Sequence, residues 1–236
     1  MNHMSRKLST GIESLDKALG GGIPIPSTVE IVGPVGSGKS QLCHQLAVMV
    51  PLPAGEGGLG SGAVYVDTEG GFRPERLAAM AEYRGLDPQQ ALEKTTYVRI
   101  HGYLQLKEAL EVLRHYSLRK FKLLIIDSLA APIRSEFYND PRRVASALYK
   151  IVNMLFDFAF QKRIAIVITD QVTQPPSEAP RGYGGWVLAG VQHLLWFDKL
   201  GFGRILIRLL KSPALPSFEV QARITEQGVI DVESYV

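Results

Sequence analysis

Apolar residues along this chain fall into two periods that alternate from one segment to the next. Val29–Val32, Leu123–Ile126 and Ala165–Thr169 are compact apolar runs of the kind that form strands covered on both faces. Ala63–Asp67 alternates and ends in an acid, and Tyr97–Ile100 reads as a short strand. Between these runs the spacing becomes helical. Gln41–Val50 suits a helix. Pro74 can open one that continues through Leu77 to Arg84, and Leu106, Leu110 and Leu113 share one helix face. Val144, Leu148, Ile151, Leu155 and Phe158 mark one side of a long helix. A β-α-β-α order of this kind predicts a parallel sheet with helices on both faces. After Gly185 the pattern changes. His193–Asp198, Arg204–Lys211 and Phe218–Thr225 read as consecutive strands with turns at Gly201–Gly203 and Pro213–Pro216, which predicts an antiparallel extension of the sheet.

Three connections interrupt this pattern. Pro51–Gly62, rich in Gly and Pro, is expected to be a surface excursion. Arg134–Pro141 and Val172–Gly185 come after the acid-ended strand and the next strand. In an open α/β sheet, ligands bind beyond the carboxyl ends of the strands, so these two loops are expected on one side, together with the loop that leaves Val29–Val32.

That loop is Gly33-Pro34-Val35-Gly36-Ser37-Gly38-Lys39-Ser40, which fits the phosphate-binding pattern G-x-x-x-x-G-K-[ST] in a strand–loop–helix context. Glycines allow successive backbone N–H groups to turn toward a phosphate, and the helix beyond them adds partial positive charge. Lys39 can reach the β- and γ-phosphates, Ser40 can ligate Mg²⁺, and Gln41 continues the cradle. Asp127 ends the run Leu123–Ile126, where a carboxylate can hold the Mg²⁺ shell opposite Ser40 or, more simply, cap a turn. Glu69 lies just past the neighbouring strand, where it can orient and deprotonate the attacking water; the alternative is an exposed turn glutamate. Gln171 ends Ala165–Thr169 and can bond a γ-phosphate or be a simple loop-entry residue. ATP and Mg²⁺ are the expected ligands.

Composition narrows the setting. The chain has 236 residues, 46% of them hydrophobic, and a formal net charge of +3, which permits nucleic-acid binding without demonstrating it. One cysteine, Cys43, excludes an intrachain disulfide and fits a reducing compartment. No apolar run reaches the ~18 residues of a membrane span, and Met1–Lys7 has no signal-peptide core. His193, His101, His115 and Cys43 show no metal-ligand spacing.

Taken together the chain resembles the RecA-like recombinase family, in its archaeal RadA/RadB and eukaryotic branch. The matching stretches are Leu8–Gly11, Leu15-Asp16, Leu19–Gly22, the phosphate loop, Asp67–Arg76, Leu124–Ser128, Gln171-Val172, Gly184-Gly185 and Ile224–Gly228. The segment Asp67-Thr68-Glu69-Gly70-Gly71-Phe72-Arg73-Pro74-Glu75-Arg76 is far more specific than the phosphate loop. The resemblance implies a RecA-like ATPase core over 1–236 with 1–7 as a disordered tail, Glu69 as catalytic base and Gln171 as γ-phosphate sensor. It makes Arg76 a residue that stacks on adenine. It implies an ATPase that binds DNA in homologous recombination and repair, located in the cytoplasm with the nucleoid in a prokaryote or in the nucleus of a eukaryote. Arg134, Arg142, Arg143 and Arg181 are candidate contacts to single-stranded DNA, with Tyr183 and Trp186 near Arg181 as stacking partners. Their alternatives are a solvated helix start and a core tryptophan.

The departures point to a subtype. The family's N-terminal helical domain and its Phe-x-x-Ala hook have no counterpart before Leu8, and the loop after Gln171 is shorter. Asp170 stands where the family commonly has Asn, and Lys211 precedes Ser212-Pro213 where the main recombinases have an acid. These favour a RadB-like paralogue, mostly monomeric alone, that assists a RadA-type recombinase or other paralogues. An excised core of a longer protein is the other possibility. Lys211 becomes a candidate contact to ATP on a neighbouring subunit. The rival from another class is a non-catalytic adaptor in which ATP only orders an interface. A RecA-like motor ATPase fits the Glu69–Arg76 segment less well.

Overall fold

In the computed structural model, which describes residues 6–115, 120–172 and 190–232, a nine-stranded sheet lies between two layers of helices. Two short strands, β1 (Lys7–Leu8) and β2 (Ile23–Pro24), pair apart from it and flank helix α1 (Glu13–Ala18). Residues 1–5 of the expected tail lie outside the described residues; Lys7 is already paired in β1. The remaining elements run β3 (Ser27–Gly33), α2 (Lys39–Met49), β4 (Gly62–Asp67), α3 (Pro74–Tyr83), α4 (Pro88–Glu93), β5 (Thr95–Arg99), α5 (Tyr103–His115), β6 (Phe121–Asp127), α6 (Ala130–Glu136), α7 (Pro141–Lys162), β7 (Ala165–Gln171), β8 (His193–Gly201), β9 (Arg204–Lys211), β10 (Glu219–Thr225) and β11 (Gly228–Asp231).

The strand order is β11-β10-β9-β8-β3-β7-β6-β4-β5. The six strands from β8 to β5 are parallel, and β9, β10 and β11 add antiparallel hairpins. Two details differ from the sequence expectation. The first of the late strands, β8, joins the parallel part beside β3 rather than opening the antiparallel extension. A fourth late strand, β11, closes the edge after a turn at Glu226-Gln227.

Side-chain alternation decides which face each strand end serves. Val29, Ile31, Ala63, Tyr65, Leu123, Ile125 and Val167 pack with Leu42, Leu46 and Leu77 from α2 and α3. Val64, Val66, Leu124, Ile126, Ile166 and Ile168 pack with Leu110, Leu148, Ile151, Leu155 and Phe158 from α5 and α7. Each such buried aliphatic side chain contributes about 1.5–3 kcal/mol. The same parity carries Asp67, Asp127, Thr169 and Gln171 to the α2 face and Glu30 and Asp170 to the opposite one.

Helix ends obey their local chemistry. α3 and α7 open with Pro74 and Pro141, and the Asp140 carboxylate caps α7 by accepting from the Arg143 N–H at 3.0 Å. The segment expected as a loop at Arg134–Pro141 is helical at its ends, with α6 running to Glu136 and α7 starting at Pro141, and only the four residues between them form a turn. The Pro51–Gly62 excursion is tied back: Leu52 and Leu59 pack on the core, and Gly57 O accepts from the Ser9 N–H at 2.8 Å. Among the described residues no helix is long and apolar enough to cross a membrane.

Candidate nucleotide site

β3 delivers the phosphate loop, and two glycines make its path possible. A Cβ on Gly33 would lie 2.1 Å from Phe197 O on β8. Gly38, the residue before α2, has φ +96°, and a Cβ there would meet Ile224 Cδ1 at 2.9 Å. No side chain caps α2 and no acid occupies its first turn, so its N-terminal N–H groups face the loop without an anionic partner among the described residues. The buried Ser37 hydroxyl has no hydrogen-bond partner among them either. Lys39 is buried and donates to Gly33 O at 2.9 Å and Pro34 O at 2.8 Å. Burial pulls its pKa down, while Asp127, Glu69 and Asp170 act in the other direction. An uncapped helix start, an orphan hydroxyl and a lysine folded onto its own loop suit a polyphosphate.

A cleft of about 540 Å³ opens here, lined by Val35, Gly36, Gly38, Lys39, Ser40, Gln41, Glu69, Arg76, Asp127, Ser128, Thr169, Gln171 and Ile224. The residues expected as base, sensor, metal ligands and phosphate cradle therefore converge on one cavity. Gly33, Pro34 and Ser37 complete the loop behind it. Asp127 is fixed by two hydroxyls, accepting from Tyr65 at 2.7 Å on one oxygen and from Thr169 on the other. Glu69 accepts from the Ser128 hydroxyl at 2.6 Å and from the Gln171 amide at 2.9 Å, so base and sensor are in direct contact. Among the described residues no group of three or more His, Cys, Asp or Glu could hold a metal. Ser40 and Asp127 instead suit Mg²⁺, which commonly takes one or two protein ligands with substrate phosphates and water.

The loop bearing Glu69 is organised by a residue outside the expected site set. Asp67, buried at the end of β4, accepts from the backbone N–H groups of Glu69, Gly70, Gly71 and Phe72 at 2.7–3.2 Å. Arg99 pairs with it at 3.1 Å, and the Tyr97 hydroxyl donates to it at 3.2 Å. Burial pushes its carboxyl up, but the N–H donors of Phe72, Gly70 and Gly71 and the Arg99 charge outweigh that and hold it below the usual range. A local signal for this role exists in the sequence: an acid shortly before a Gly-Gly turn is a natural acceptor for that turn's N–H groups.

Arg76 is held edge-on. Its guanidinium donates to Gln41 Oε1 at 2.7 Å and to the carbonyls of Thr225 and Glu226 at the β10–β11 turn. Those three bonds fix the guanidinium where Arg76 lines the cleft.

Arg134, Arg142, Arg143 and Lys211 are not among the residues that line the cleft. Arg134 points from α6 to Asp170, 3.5 Å away. Arg142 lines a shallow hollow with Pro141, Ala145, Ser146 and Tyr149, and Arg143 sits 4.6 Å from the centre of the Phe137 ring. Arg181, Tyr183 and Trp186 lie outside the described residues. Lys211 ends β9, opposite Leu194 in register, and its charge opposes the rise in the pKa of buried Glu30.

Comparison with known proteins adds two findings. A family model described as Rad51 matches residues 3–232. DNA repair and recombination protein RadA of Aeropyrum pernix is 36% identical over 239 residues, covering 97% of this chain and 74% of that protein.

Proposed function

The chain belongs to the Rad51 family, and from that premise we propose that it is an ATP- and Mg²⁺-binding protein of homologous recombination and DNA repair that hydrolyses ATP slowly. The observation that carries the reading is the convergence of Lys39, Ser40, Asp127, Glu69 and Gln171 on one cleft at the carboxyl ends of β3, β4, β6 and β7. The archaeal relative is a DNA repair and recombination protein, which supports the same process here.

Catalysis in such a cleft is positioning and charge stabilisation. Lys39 leaves the Gly33 and Pro34 carbonyls to pair with phosphate oxygens. Ser40 and Asp127 would hold Mg²⁺, which would supply positive charge to offset that of the phosphates. Glu69 holds a water and takes its proton as the water oxygen bonds to the γ-phosphorus. The bond to the β–γ bridging oxygen breaks, leaving ADP and phosphate. Gln171 and Ser128 fix the two oxygens of Glu69, so loss of the γ-phosphate reaches β7 and the segment after it through one hydrogen bond. Single-stranded DNA is the proposed polyanion, met by Arg142, Arg143 and Arg181, with Arg134 held at Asp170 until that pair opens. The proposed place is that of a paralogue assisting a RadA-type recombinase, with Lys211 approaching ATP on a neighbouring subunit.

The test is ATP turnover with and without single-stranded DNA, against Glu69→Gln. The amide keeps the size of the carboxylate but cannot take the proton, so the variant is expected to bind ATP normally and lose at least tenfold in turnover. Equal turnover in both proteins removes Glu69 from the mechanism. ATP binding with no turnover in either favours the non-catalytic adaptor.

A further inference from the structure

The geometry assigns a positioning role to His44, a buried residue on α2 that does not itself line the cleft. We propose that its imidazole is the strut that sets the Glu69-bearing loop against the nucleotide-binding helix. The role rests on the ATP reading above.

Five successive backbone N–H groups, from Glu69 to Arg73, point to side-chain acceptors. The first four go to Asp67, which belongs to the same strand and loop. The fifth, from Arg73, goes to His44 Nε2 at 3.0 Å. This is the tether that comes from α2. The other ring nitrogen lies 2.6 Å from the carbonyl of Ser40, one turn back on the helix and in the cleft.

The chemistry of the partners fixes the ring's protonation. A backbone N–H only donates, so Nε2 accepts; a carbonyl only accepts, so Nδ1 carries the proton and donates. The neutral ring is thus bonded at both ends, which fixes its orientation as well as its place. Burial favours the same neutral form.

The faces of the ring are held as firmly. His44 stacks on Phe72 with centroids 5.2 Å apart and planes 13° apart, and Phe72 in turn stacks on Tyr97 at 4.7 Å. Tyr65 packs against both His44 and Phe72, and its hydroxyl holds Asp127. Beyond the ring, the Arg73 guanidinium donates back to Gly70 O at 2.8 Å and Phe72 O at 2.9 Å, so Arg73 moves with the loop it closes. A displacement of the Ser40 peptide therefore has a stiff route to Arg73, and from there to Glu69.

The test exploits the unequal reach of two amides. Asn at position 44 can reproduce the bond made by Nδ1 but falls short of Arg73, whereas Gln can reach the Nε2 position. His44→Asn is expected to lower kcat for ATP at least tenfold while the Kd for Mg-ATP stays within threefold of wild type. His44→Gln is expected to recover kcat to within threefold. Independently of turnover, amide exchange across residues 69–73 is expected to quicken at least tenfold in His44→Asn and to stay near wild type in His44→Gln. Thermal melting checks that both variants fold. Unchanged exchange in His44→Asn, equal losses in the two variants, or a loss confined to Kd each overturn the assignment. If the wild-type protein fails to bind Mg-ATP, the function proposed above fails instead. Exchange at residues 69–73 in the nucleotide-free proteins then still decides whether His44 holds the loop.

Discussion

Lys39 makes the sharpest residue-scale case, because its ammonium is buried and bonded to two backbone carbonyls of its own loop. Such an ammonium is worth most to a phosphate that enters the same dry environment. Lys39→Ala is expected to weaken ATP binding by about 2–5 kcal/mol, measured by titration with a fluorescent ATP analogue. Affinity within threefold of wild type would remove the phosphate-loop assignment. This residue was legible because its motif is a fixed local spacing. Asp67 and His44, which both touch the Glu69 loop, were harder to read: their partners in that loop are backbone N–H groups, which carry no residue-type signature, and for Asp67 only the Gly-Gly turn that follows it hints at the role. His44 could still have been suspected, since it sits four residues after Ser40 and therefore on the same helix face. Arg134, chosen for its place near an expected DNA loop, pairs with Asp170 of β7, and a pairing between segments so distant in sequence is one that periodicity cannot show.

At the scale of elements, α7 presents a testable end. Pro141 and the Asp140 cap fix its start, so Arg142 and Arg143 project from a helix N-terminus that itself favours anions. The two are not equivalent. Arg143 already lies over Phe137, while Arg142 lines an open apolar hollow beside Tyr149. Charge reversal at Arg142 is expected to lower the log–log salt slope of single-stranded DNA binding by about 0.7 for each phosphate it no longer neutralises. Reversal at Arg143 is expected to do the same and also to lower the melting temperature, since it removes the cation from the Phe137 ring. Filter binding across a salt series reads the slope, and an unchanged slope in both variants makes this end of α7 a solvated helix start. The long α7 was readable from its apolar stripe. Six-residue α4 and seven-residue α6 were not, because about two turns or fewer give too few repeats to establish a period. β11 escaped for a similar reason, being four residues long and set by pairing with β10.

For the whole molecule, the parity that places the proposed catalytic groups on the α2 face leaves an electrostatic cost on the other. Glu30 from β3 and Asp170 from β7 are both buried there, and each has a carboxylate oxygen without a hydrogen-bond partner among the described residues. Burial, with repulsion from Asp170, raises Glu30 well above the usual carboxylate range; Lys211 and Arg134 oppose this only in part. Burial likewise raises Asp170 to about 6, helped by Glu69 and opposed by Arg134, the Gln171 N–H and Lys39. An acid whose pKa is higher folded than unfolded binds its proton more tightly in the native state. Stability from this group is therefore greatest below the unfolded value of 3.8 and falls as pH rises to about 6. His44 and His193, whose pKa values burial lowers, act oppositely, losing stability as pH falls below their ordinary 6.5. A wild-type profile alone would mix these effects, so the informative quantity is a difference. Asp170→Asn removes the titrating group and also relieves Glu30, so both changes have the same sign. Relative to wild type the variant is expected to gain about 3 kcal/mol between pH 3 and pH 7, from roughly two pH units at about 1.4 kcal/mol each. Urea denaturation at a series of pH values measures this, and a stability difference that does not change with pH would show that Asp170 carries no raised pKa in the folded protein.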